Sequence, residues 1–371
     1  MVRWEWGTIT GALRSWPGAA RLQLMLDGEE QPVAAMAYPE LTGTPQPGER
    51  VLVNTNALHR GLGTGGEALV VARPEALEQG VEPAGHMVKA RYTPLQTMVD
   101  AIDDPASPHY EVLRAAEDLE AVPVVACDLH SSLPAIVAGI RAEAPGARIV
   151  HVHTDGAALP AAYSATAAGL REAGLLEATI STGQSFGGDL EAVTMHSALL
   201  GARHVARADV VIAVQGPGNL GTGTGWGFSG MQAAEALHAA AVLGGRPIAA
   251  LRVSGADPRP RHRGLSHHSA TTYGRATLAA VLLPLLDPST PEYSRFHASV
   301  SEQVNTSIIG EAAARGIHHE RTQVSPAGLR EALGELPVRL STMGRTLEED
   351  PEAFLYAALA GRCAGGLIPR P

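Results

Sequence analysis

Lysine is almost absent from this 371-residue chain: Lys89 is the only one, and every other permanently cationic side chain is arginine. Two readings fit a lone lysine: a site that wants a compact ammonium rather than a planar guanidinium, or chance survival at the surface. Cysteine is nearly missing as well, with only Cys127 and Cys363. Two distant thiols exclude a disulfide framework and a cysteine-rich zinc module, and they suit a reducing compartment. Aromatic residues are 4% of the chain, so alanine, valine and leucine must fill the core that a 45% hydrophobic content supplies. No apolar run is long enough to span a bilayer; the longest helical one, at 278–286, is short and contains Pro284. The first residues, Met1-Val-Arg-Trp-Glu-Trp, lack the charged-then-apolar pattern of a secretory signal. A cytoplasmic protein without a membrane partner is the expectation. The net charge of −10 gives no general basic face, so nucleic acid is not an expected partner. A local cationic pocket is still compatible with it.

The length suits two domains. Residues 1–75 read as β-rich, with short apolar or alternating segments at 4–10, 21–26, 33–38, 50–54 and 68–72. Turn signals at 27–28, 47–48 and 61–66 separate them, and the pattern predicts a small barrel or half-barrel. Residues 76–121 read as a linker and helices. The connector 74–85 leads to a segment in which Lys89 and Arg91 alternate with Val88 and Ala90. An extended strand there places both cations on one side. Helical patterns follow at 94–103 and 107–120.

From 122 to 371 the rhythm becomes strand–loop–helix. Apolar strands at 122–126, 148–152, 178–180, 209–214 and 247–253 alternate with Ala-rich helices near 132–143, 158–173, 189–204, 229–243 and 269–283. A helix at 294–315, segments at 318–324 and 338–343, and helices at 326–333 and 350–361 complete the chain. The fold class predicted is α/β: a mostly parallel, Rossmann-like sheet covered by helices on both faces, preceded by a small β-barrel-like domain.

The chemistry concentrates after the strands, while the loops before them are plainer. In a parallel sheet all five of these segments share one edge, where ligands gather. His130 with Ser131 and Ser132 follows the first strand, and either serine caps the next helix or meets a ligand. His151 and His153 share one side of the second strand, with Asp155 two residues on, a spacing that suits metal ligation or an acid–base pair. Gln184 lies in the polar segment after the third. The fourth leads into a glycine-rich loop, 215–227, whose amides at Gly216 and Gly218, with Asn219, suit an anion. That loop matches neither the dinucleotide fingerprint nor the Walker pattern, and a flexible lid is the competing reading. No Gly-x-Ser-x-Gly elbow occurs. The densest stretch is 252–269, with Arg252, Arg259, Arg261, His262, Arg263, His267 and His268 against a single acid, Asp257. Ser269 is well placed to cap the helix that follows it. An arginine-rich surface loop is the plain alternative to an anion site.

Three stretches carry a resemblance. They are 85–96, from Gly85-His-Met-Val-Lys-Ala-Arg; 215–230, with Gln-Gly-Pro-Gly-Asn-Leu-Gly-Thr-Gly; and 256–269, with Arg-Pro-Arg-His-Arg-Gly-Leu-Ser-His-His. In these the chain resembles a bacterial family known only as a domain of unknown function. The resemblance covers nearly the whole chain and implies a bacterial, cytoplasmic protein, but it transfers no activity and no catalytic residue.

The residues themselves support three functions. In the leading one, an enzyme holds a small anionic substrate, bearing phosphate or carboxylate, at the carboxyl edge of the sheet. Lys89, Arg91, Arg259, Arg261 and Arg263 neutralise its charge. Ser131, Gln184, Gly216, Gly218 and Asn219 add polar contacts, and His130, His153, His267 and His268 handle protons. The second is a metal-dependent hydrolase whose divalent cation sits among His130, His151, His153, Asp155, His267 and His268. The third is a non-catalytic ligand-binding or assembly protein with the barrel as interaction module. A homodimer is the expected assembly.

Overall fold

A computed structural model of the chain describes residues 1–61, 66–77 and 85–369. Parts of the turn signal at 61–66 and of the connector at 74–85 lie outside the described residues. The N-terminal strands are β1 (Trp4–Trp16), β2 (Ala19–Leu26), β3 (Val33–Ala37), β4 (Arg50–Asn54) and β5 (Ala68–Ala72). They close into a barrel in the order β1-β2-β3-β5-β4. Alternating side chains, among them Ile9, Leu22, Leu24, Val51, Val53 and Val70, point inward to fill it.

A short antiparallel hairpin follows, β6 (Met87–Lys89) with β7 (Thr97–Val99). It replaces the helix expected at 94–103. Ala90 and Tyr92 have positive φ, so the strand ends at Lys89 and Arg91 is not in alternation with it. The helix expected at 107–120 is the short Tyr110–Ala115.

The main sheet contains β8 (Pro123–Cys127), β9 (Ile149–Thr154), β10 (Ala178–Ser181), β11 (Leu190–Glu191), β12 (Val210–Gln215) and β13 (Arg246–Ala249). A small hairpin, β14 (Val253–Ser254) with β15 (Gly264–Leu265), comes next in the chain. Two further strands, β16 (Leu282–Leu286) and β17 (Glu320–Val324), complete the main sheet. Its order is β11-β10-β9-β12-β8-β13-β16-β17, with every pair parallel. Every residue of β8, β9, β10 and β12 is buried, as strands covered on both faces require.

The strand order reverses direction near the middle of the sheet. After β8 the chain moves towards β9, and after β12 it moves the opposite way, past β8, to β13. Right-handed crossovers in opposite directions put the two intervening helices, Leu133–Glu143 and Gln232–Val242, on opposite faces. The loops leaving β8 and β12 therefore part from each other, and a crevice opens between them at the carboxyl edge.

Three sequence expectations change here. The helix expected at 269–283 begins at His267 and ends in a wide turn at Ala276, so 282–286 is a strand instead. The strand expected over 247–253 breaks at Ala249. The cap of the helix His267–Thr271 is Ser266, whose hydroxyl accepts from the His268 amide; Ser269 Oγ instead accepts from the Arg252 amide.

On one face, the helices Leu133–Glu143 and Pro351–Gly366 cross at backbone contact, which Gly139 and Gly361 permit. A Cβ on Gly139 would overlap the Ala358 carbonyl, and one on Gly361 would overlap that of Ile136. Alanine at Gly139 is expected to force the helices apart and to destabilise the fold by roughly 3 kcal/mol. Urea unfolding reads this directly, and an unchanged midpoint would contradict the packing.

Candidate active site

The crevice at the strand reversal widens into a cleft of about 780 Å³ between the barrel and the sheet. Trp16 Nε1 of the barrel donates to the Ala162 carbonyl at 2.6 Å and closes one end. The loop after β8 contributes His130 and Ser131, and the loop after β12 contributes Gly216, Gly218 and Asn219. Five of the residues singled out in the sequence thus line one cavity. Gly216 is there because nothing larger fits: a Cβ would lie 2.7 Å from both the Ala158 carbonyl oxygen and the His153 ring.

His130 carries the geometry of the cleft. Its Nδ1–H donates to the Gln215 carbonyl at 3.1 Å, which leaves the lone pair on Nε2. Ser164 Oγ lies 2.6 Å from that nitrogen and donates its proton to it. Ser164 also caps the helix Ala165–Glu172, its oxygen accepting from the Ala167 amide at 2.9 Å. Ala165 and Thr166, whose amides open the helix without an intrahelical acceptor, line the same cleft. A hydroxyl, an imidazole oriented by a carbonyl, and free amides beside the hydroxyl therefore meet at one point.

Sequence reasoning misses Ser164. The Ala-rich pattern predicts a helix from 158, which puts Ser164 inside it, and its partner is 34 residues away. The serine directly before an Ala-rich run is the one available signal.

Behind His130 lie His151 and His153, with successive ring centroids 6.2 and 5.7 Å apart. His153 Nε2 donates to the Ala158 carbonyl. Burial holds His130 and His153 at about 4 and also pushes His151 well below its ordinary value. Unfolding returns each to about 6.5, so between pH 6.5 and 4 the unfolded chain binds more protons than the folded one. Stability is then complete above pH 6.5 and falls as pH drops, by about 1.4 kcal/mol per unit for each histidine. Moving from pH 7.5 to 5 is expected to remove roughly 5 kcal/mol in urea unfolding. Equal stability at the two values would contradict neutral burial of these rings.

The other singled-out residues fall elsewhere. Lys89 is fully buried, 2.7 Å from Glu191 and 3.1 Å from the Ser181 carbonyl. Burial lowers its pKa and raises that of Glu191, each opposed by the partner's charge. Arg91 is exposed, with its amide donating to Gln184 Oε1. Asp155 accepts from the Gln184 amide and from Gln232 Nε2. In the arginine-rich loop, Arg259 is engaged by Asp257, which also binds Arg345 and is held well below the usual carboxylate range by these guanidinium groups. Arg252 lies 3.5 Å from Asp128, while Arg261 and Arg263 are exposed. His267 and His268 gather with His262, apart from the His130 group.

The molecule is thus an α/β protein with an N-terminal five-stranded barrel and a cleft at the reversal of strand order. The chain belongs to the family described as "Protein of unknown function (DUF3866)", whose model matches residues 34–361. Comparison with curated proteins returns no match. Among the described residues, no helix is long and apolar enough to cross a membrane.

Proposed function

We propose that the protein is an enzyme acting on a small anionic ester or phosphoester in this cleft, with Ser164 as nucleophile and His130 as base. The observation that carries the reading is the 2.6 Å contact between Ser164 Oγ and His130 Nε2, with the other ring nitrogen fixed by the Gln215 carbonyl. Ser164 Oγ attacks the carbonyl carbon or phosphorus while its proton passes to His130 Nε2. The leaving oxygen takes that proton and departs. Water then attacks the acyl- or phosphoryl-serine, giving a proton to His130, and serine is regenerated as its oxygen recovers that proton.

The amides of Ala165 and Thr166 receive the negative charge that develops on the substrate oxygen. Gly216, Gly218 and Asn219 supply further donors for a carboxylate or phosphate. Among the described residues the cleft's guanidinium is that of Arg21, paired with Glu67 at 2.5 Å, so recognition of the anion rests on amides rather than arginine. Under the same reading the protein works as a cytoplasmic homodimer, with neither nucleic acid nor membrane as a partner.

The test is turnover of chromogenic substrates, p-nitrophenyl phosphate and p-nitrophenyl esters carrying a free carboxylate. Wild-type turnover that disappears in Ser164→Ala is the expected result. Turnover that persists in Ser164→Ala, or none in the wild type, would overturn the proposal.

A further inference from the structure

His262, absent from the sequence-based site, shares a small volume with His267 and His268. The chain crosses itself there: β14 and β15 pair around a short turn, Pro260–His262, and the helix His267–Thr271 starts immediately after them. The three ring centroids lie 4.4 to 5.0 Å apart, and one ligand-type nitrogen from each ring falls within 4.8 Å of the others. His262 is 2% exposed and His268 9%.

The free nitrogens are the telling detail. In His262 the bonded nitrogen is Nδ1, 2.8 Å from Ser266 Oγ. In His268 it is again Nδ1, placed 3.4 Å from Asp128 Oδ2 and 3.1 Å from Arg252 Nη1. Nε2 is thus the nitrogen left for a ligand in both rings. In His267, Nε2 is buried without a hydrogen-bond partner. A buried ring nitrogen with no partner is the condition that a metal ion relieves.

We propose that His262, His267 and His268 form a three-imidazole site for a zinc ion. The surroundings fit this role. Arg252 Nη1, which donates to His268 Nδ1, must turn aside when zinc binds; Nδ1–H of His268 then faces the Asp128 carboxylate, Nδ1–H of His262 faces Ser266, and each ring presents its Nε2 lone pair. Phe228 stacks on His268 at 3.7 Å and nearly parallel, forming an apolar wall beside the site. Burial above all, with the neighbouring imidazole and guanidinium groups adding to it, keeps His262 and His267 neutral at pH 7, the state that binds metal. Three imidazoles suit zinc and leave the fourth tetrahedral position for water or an anion. Arg252 and the exposed Arg261 flank the loop and favour the anion. None of the ligands belongs to the Ser164–His130 pair, so either proposal can fail without the other.

The experiment is zinc titration of the metal-free full chain by calorimetry, with cobalt(II) as a spectroscopic substitute. One zinc per chain and a cobalt spectrum of tetrahedral type are expected. His262→Ala and His267→Ala should each weaken binding at least about 100-fold, while His130→Ala binds zinc as the wild type does. Should an alanine variant fail to fold, X-ray absorption of the zinc-loaded wild type decides, with about three imidazole nitrogens near 2.0–2.1 Å expected. No binding by the wild type, undiminished binding in both variants, or a coordination shell without imidazole would overturn the site.

Discussion

Replacing Ser164 with alanine is expected to lower turnover by roughly 10⁴-fold or more, and replacing His130 by a comparable factor. The two side chains act as a unit, so the double variant should be scarcely worse than either single one. Ser164 also caps a helix through the Ala167 amide, and losing that bond costs about 1 kcal/mol of stability. The two roles separate in Ser164→Asn. Asparagine retains a capping oxygen but cannot attack, so a cap-only role predicts a working enzyme and the nucleophile role an inactive one. Kinetics on the folded variant, with its melting curve alongside, distinguish them.

The second large effect is structural and lies at the lone lysine. Lys89 is fully buried against Glu191, whose other oxygen accepts the amides of Gly187 and Gly188. The pair thereby ties the β6 hairpin to the loop between β10 and β11. Lys89→Met removes one charge and strands the other, and is expected to cost about 3–5 kcal/mol. Removing both charges in Lys89→Met/Glu191→Gln should recover part of that loss, because no buried ion is then left alone. Denaturant unfolding of the two variants measures the difference. A single variant as stable as the wild type would show that the pair contributes nothing.

Much of the architecture is legible in the sequence because parallel strands covered on both faces must be apolar throughout. β8, β9 and β12 announce themselves in this way, and the alternation in the first 75 residues gives the barrel. The strand β16 is hidden for the same reason: Ala276 to Leu286 is apolar without a helical or a strand period, so the pattern reads as a helix continuing into it. Pro284 within that strand adds to the ambiguity. Of the site, the residues after the strands are readable from their position, since all of them must lie at one edge. The partners are not. Ser164 meets His130, Glu191 meets Lys89 and Asp128 meets His268 across distances in sequence that no local pattern encodes. In the sequence His262 is one base among many, and its grouping with His267 and His268 depends on how the β14–β15 hairpin folds back.

A serine nucleophile activated by a neighbouring imidazole reacts with fluorophosphonates, whereas a capping serine does not. The most direct test of Ser164 and His130 is therefore to expose the full chain to a fluorophosphonate and locate the adduct by peptide mass spectrometry. The predicted result is one phosphonyl group per chain, on Ser164, with labelling slowed strongly in His130→Ala. Labelling on another residue, no labelling at all, or labelling of Ser164 at the same rate without His130 would contradict the assignment.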